Sequence, residues 1–183
     1  MERYATVDEV IGLWRAAGPD RWFTRDDAFD ETCRQRFLLT HEAAARGDLN
    51  EWELSAEGAL ALCLLLDQFP RNMFRGTRRA YQTDPVALMV ADRAIERGYD
   101  KAVEPAFRRF FYLPFSHSED RGDQERAVAL AEGFGDPEVV KWARHHRDIV
   151  ARFGRFPHRN AILGRKSTAE EEAYLAEENG FRG

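Results

Sequence analysis

The sequence predicts an all-α fold. Apolar side chains recur at helical spacing through most of the chain, oxygen-bearing caps and prolines open these segments while glycines close them, and no stretch alternates apolar and polar residues as a half-buried strand would. Roughly eight helices result. Short connections favour antiparallel neighbours, hence a bundle or a stack of helix pairs. With 183 residues, one domain over 1–183 is expected, large enough to bury its core without disulfides or a metal.

Thr6 with Glu9 forms a capping box, and Val7, Val10, Ile11 and Trp14 follow at helical spacing until Gly18-Pro19. Trp22, Phe23 and Phe29 lie in an Asp-rich connector and read as plugs between helices. Cys33, Phe37, Thr40 and Ala44 make the next face, closed by Gly47. Ser55 caps a helix from Ala56 to about Phe69 whose middle, ALALCLLL, is apolar on every side and so should be central. Thr83-Asp84-Pro85 opens a helix with Leu88, Met89, Ala91 and Ile95 on its face, ended by Gly98. A short segment from Asp100 restarts at Pro105, where Phe107, Phe110 and Phe111 form an aromatic core stripe that Pro114 should halt.

Ser118 is the expected cap of a helix turning Gln124, Ala127, Val128, Leu130 and Ala131 inward, which puts His117 beside a helix N-terminus. Asp136-Pro137 opens the longest stripe: Val139, Val140, Ala143, His146, Ile149, Val150 and Phe153, closed by Gly154. On that face His146 reads as a satisfied core polar group. Ser167 with Glu170 is a second capping box, and the last helix is expected from Ala169 to Asn179, ended by Gly180.

Acidic side chains outnumber basic ones by five, and charged residues make up 32% of the chain, a mildly acidic balance that argues against nucleic acid. The longest apolar run, Ala59 to Leu66, is far too short for a bilayer span, and MERYATVDEVIGLW lacks the basic and apolar regions of a signal peptide, so a cytoplasmic protein is expected. Cys33 and Cys63 have no metal or redox spacing and read as small buried hydrophobes.

Against the acidic background, Arg152 to Thr168 stands out: RFGRFPHRNAILGRKST carries no acid. It has an echo, because Phe69-Pro70-Arg71-Asn72 leads to Gly76 as Phe156-Pro157-His158-Arg159-Asn160 leads to Gly164. Arginine forks suit carboxylates and phosphates, and amides add neutral donors and acceptors beside them. Gln68, Arg71, Asn72, Arg75, Gln124, Arg155, Arg159 and Asn160 are therefore the candidate ligand-binding residues. The competing reading is that these arginines bond the chain's own carboxylates, with Asp67 and Glu119 as internal partners, and that Arg78 and Arg79 are plain surface.

His117, Glu119 and His158 are the candidate acid-base residues, since an imidazole beside a carboxylate can carry a proton near neutral pH. No nucleophile motif accompanies them. His117, Glu119, His146 and His158 match no metal-ligand spacing, so neither a metal nor a cofactor is expected. GRKST lacks the glycines and the preceding strand of a phosphate loop.

The strings LLLDQFPRNMFRGT, YLPFSHSE followed by Gln124, and RFGRFPHRNAILGRKSTAEEEAYL, together with Trp22, Phe29-Asp30, Trp52 and Asp84-Pro85, strongly resemble the bacterial domain of unknown function 924 family over nearly the whole chain. The resemblance implies an all-helical fold similar to tetratricopeptide-like superhelices and no established reaction; a fold alone does not specify one. The leading expectation is one polar pocket shared by the two corners and the HSE segment, binding, with or without hydrolysis, a small anionic ligand. The alternative is a peptide or protein interaction module whose corners are structural.

Overall fold

The computed structural model describes residues 3–177 and 181, and these are all-helical, with no strand among them. They fall into two compact units, one drawn from Met1–Arg75 and Arg79–Pro114, the other from Gly76–Arg78 and Phe115–Gly183. In order, the helices are α1 (Val7–Ala17), α2 (Pro19–Trp22), α3 (Asp27–Arg46), α4 (Ala56–Cys63), α5 (Phe69–Met73), α6 (Asp84–Glu96), α7 (Arg109–Ser116), α8 (Arg121–Phe134), α9 (Pro137–Phe153), α10 (Asn160–Leu163) and α11 (Ala169–Ala176). Setting aside the short α2, α5 and α10, eight remain among the described residues. None is long and apolar enough to cross a membrane.

In the first unit α4 is the buried axis, packed against α1 and α6, while α3 packs against α5. The capping box at Thr6 and Glu9 forms as expected, and Ser55 caps α4 by accepting from the Gly58 N–H. Gly58 cannot be replaced freely, since a Cβ there would lie 2.0 Å from the Trp52 carbonyl oxygen. Trp22 does plug a seam. Its indole N–H donates to the Trp14 carbonyl at 2.7 Å and its ring stacks on Trp14, which also meets Phe29, Phe69 and Phe110.

The sequence predicts one helix from Ala56 to Phe69, but Leu64–Gln68 widens into a π turn before α5. Pro70 supplies the reason: it has no N–H to give the Leu66 carbonyl and its ring crowds that oxygen. The Phe69 N–H moves to the Leu64 carbonyl and Pro70 has none to give, so neither donor that an unbroken α-helix would offer reaches the carbonyls of Leu65 and Leu66. Side chains take them, His41 Nδ1 donating to Leu65 at 2.8 Å and the Thr83 hydroxyl to Leu66 at 2.6 Å.

Two other expectations shift. The inward face of α6 is Ala87, Val90, Ala91 and Ala94, with Met89 exposed, because the small side chains let α6 approach α4. Pro114 lies inside α7 rather than ending it; near a helix end the ring removes a single bond, which the buried aromatic side chains of that helix outweigh. Cys33 and Cys63 are fully buried, and burial pushes the Cys33 thiol up to about 12 and the Cys63 thiol well above its ordinary value.

In the second unit α8 and α9 pack as a pair over Val128, Ala131 and Ala143. Ile149, Val150, Phe156 and Tyr174 make a second cluster, flanked by Phe153, Leu175 and Phe181. Asp120, not Ser118, caps α8, its carboxylate accepting from the N–H groups of Gly122 and Asp123. The Ser118 hydroxyl donates to Asp123 at 2.6 Å instead. The capping box of α11 is Thr168 with Glu171, one residue later than the sequence suggests, and the expected end at Asn179 and Gly180 lies outside the described residues.

Candidate functional site

The two echoed corners share a local construction. In the first, the Asn72 amide donates to Asp30 at 2.7 Å, and Arg75 grips the same carboxylate at 2.8 and 3.0 Å. In the second, Asn160 donates to Glu171 at 3.2 Å, and Arg155 grips that carboxylate at 2.6 and 2.8 Å. Each asparagine and arginine clamps one acid of its own unit. Arg155 with the Thr168 N–H holds the Glu171 carboxyl down at about 2. Gly76 and Gly164 close the corners with φ of 75° and 69°, in the left-handed region that glycine enters without strain.

Arg71 meets Asp84 with both guanidinium nitrogens, at 2.8 and 2.9 Å, and Asp67 at 3.2 Å. Burial works against its charge, but the two carboxylates more than offset this and raise its pKa. Gln68 donates to Asp67. Thus the arginine forks of the first corner, and Arg155 of the second, face carboxylates of the chain, as the competing reading expects. Asp67 was legible as a partner; Asp30, Asp84 and Glu171 were not, since only folding brings them there. Arg78 is more than surface, donating to the carbonyls of Ile162 and Leu163 at the end of α10.

Glu119 serves the second corner. It accepts two bonds from Arg165, at 2.6 and 2.9 Å, and one from the Phe156 N–H at 2.9 Å. Burial would raise its pKa, but these donors outweigh it and the pKa falls. Gln124 is fully buried, and its amide donates to the carbonyls of Ser116 at 2.8 Å and Ser118 at 2.6 Å. It fastens the turn on both sides of His117.

That turn presents His117 to His146, with ring centroids 6.2 Å apart. His146, from α9, is 8% exposed, and its Nδ1 has no hydrogen-bond partner among the described residues. It is therefore not the satisfied core group that its helical face suggested. Burial, then the positive potential of His117, His145, Arg159 and His158, drives its pKa well below the ordinary value, so the ring is neutral at neutral pH. Arg159 is also buried, its guanidinium 4.5 Å from the centroid of the Phe156 ring, and His146 meets the same ring edge-on at 5.6 Å. No group of three or more metal-ligating side chains is placed to hold an ion among the described residues.

A cleft of about 250 Å³ lined by Leu13, Ala17, Arg21, Asp26, Phe29 and Thr32 lies between α1 and α3 and contains none of the candidate residues.

These features define a class: an all-α protein with carboxylate-clamped Arg/Asn corners and, in its second unit, a cluster of imidazoles with a buried guanidinium. The chain belongs to a family described as "Bacterial protein of unknown function (DUF924)", whose model matches residues 10–179. It is similar to a solved structure titled "Structure of Protein of Unknown Function ATU0120 from Agrobacterium tumefaciens", at 54% identity and a TM-score of 0.90, covering 93% of this chain and 96% of that one. No curated protein matches it.

Proposed function

We propose that the protein binds a small anion at the second unit's cluster, with Arg159 supplying fixed charge, His146 Nδ1 a hydrogen bond, and His117 and His158 further imidazole donors. The observation that carries this reading is His146. A polar atom buried without a partner costs about 1–3 kcal/mol, and such a cost is tolerated where a ligand completes the bonding. Arg71, Arg75 and Arg155, which sequence reasoning put on the ligand, act in this reading as structural clamps. Gln124 positions His117, and Glu119 keeps the 152–168 segment folded over the cluster. The reading requires no tetratricopeptide-like stacking of the helices.

Thermal denaturation with increasing inorganic phosphate or acetate tests it. Binding to the native state alone raises the midpoint with ligand concentration. The rise should vanish in Arg159→Ala and persist in Arg75→Ala at the variant's own lower baseline. A rise that survives Arg159→Ala would remove the anion from this cluster.

A further inference from the structure

The space between the histidines is filled by an aromatic ring. Phe181 lies 4.9 Å from His158 at 85°, 5.0 Å from His146 at 70° and 5.5 Å from His145 at 77°, with Trp142 and Phe156 at 6.4 and 6.5 Å. Three imidazoles thus meet one phenyl ring in edge-to-face geometry, the arrangement in which a ring's positive rim faces another's negative face. The Phe181 N–H is anchored by donation to the Tyr174 hydroxyl at 3.2 Å. Arg159, over Phe156, and the Nδ1 of His146, without a hydrogen-bond partner among the described residues, belong to the same cluster.

An aliphatic side chain would satisfy a merely apolar gap. A cage of rings set steeply to the phenyl plane discriminates, because a flat aromatic ring gains edge-to-face contact with all three imidazoles at once. Trp142 is 47% exposed and Phe181 is itself part-exposed, so the cage opens toward solvent rather than lying sealed in the core.

We infer that the cluster takes a small aromatic acid, an arene bearing a carboxylate or similar anionic group. The ligand ring takes the place of the Phe181 ring, and its anion meets Arg159 and His146. Phe181 is then an internal competitor that keeps the cage closed until ligand displaces it. This inference rests on the anion-binding reading and adds the ligand's chemical class.

Calorimetric titration of the full chain as wild type, Phe181→Ala and Phe181→Leu, with benzoate, acetate and inorganic phosphate, tests both layers. Far-UV circular dichroism confirms that each variant keeps its helices, and Phe181→Leu keeps apolar bulk should the alanine variant unfold. Removing the competing ring should tighten benzoate binding by about tenfold or more over wild type, the scale of one to a few edge-to-face contacts, with little change for acetate. Phosphate binding with no preference for benzoate over acetate overturns the aromatic assignment while the anion reading stands. If neither variant binds any of the three, both fall.

Discussion

Replacing Thr83 by Val tests the account of the π turn. The substitution keeps the side chain's volume and removes its hydroxyl, the donor to the Leu66 carbonyl at 2.6 Å. Thr83 is buried, so water cannot take over, and Pro70 has no N–H to offer. A buried carbonyl left without a donor costs about 1–3 kcal/mol. For a chain of this length, about 2 kcal/mol lowers the melting midpoint by roughly 4–8 °C. Urea denaturation followed by circular dichroism, with an unchanged slope, measures the loss directly. The stronger test is a cycle with Pro70→Ala, which returns an N–H four residues beyond Leu66. In that background the cost of Thr83→Val should shrink by about 1 kcal/mol through coupling at one shared carbonyl. Equal losses in both backgrounds, or a wild-type loss below about 0.5 kcal/mol, would refute the claim that proline is what commits Leu66 to Thr83.

Gly58→Ala should be severe, costing about 3 kcal/mol or more, because Gly58 is buried and the new Cβ meets the Trp52 backbone rather than a side chain that could move; a midpoint unchanged in urea would contradict it. Stability should also fall as pH drops below about 6.5. His41 and His146 both have native pKa values depressed chiefly by burial, so the unfolded chain takes up protons first and stability, complete above the unfolded value, is lost as pH falls toward the folded one. Each contributes a slope of at most about 1.4 kcal/mol per pH unit there. In His146→Phe the decline between pH 7 and 5 should be shallower, and a variant with an unchanged slope would show that His146 protonates freely in the native protein.

Helix limits were legible where the cap is local chemistry. Thr6 with Glu9, Ser55, Asp136 with Pro137, and the glycines at 47 and 154 all act where the sequence places them. Errors arose where two neighbours offer similar oxygens, as with Ser118 and Asp120 or Ser167 and Thr168, since a cap is chosen by the angle at which the chain enters the helix. The face of α6 was misread because large residues were favoured over the alanines that close packing selects. The echo of the two corners was visible as spelling, but its meaning was not, because Asp30 joins Asn72 and Arg75 from 42 and 45 residues away. Each histidine could be singled out by type. Their gathering round Phe181 could not, since a lone phenylalanine beyond the last helix carries no periodicity to mark its destination.

The clamps at both corners are built with guanidinium, and of the 27 basic residues all but Lys101, Lys141 and Lys166 are arginine. A guanidinium does not surrender its proton in any solution the fold would survive, whereas an ammonium does so near pH 10. The ion pairs at Asp30, Asp84, Glu119 and Glu171 therefore have no alkaline limit of their own and can be discharged only from the acid side. Reagents that modify primary amines leave every one of them intact.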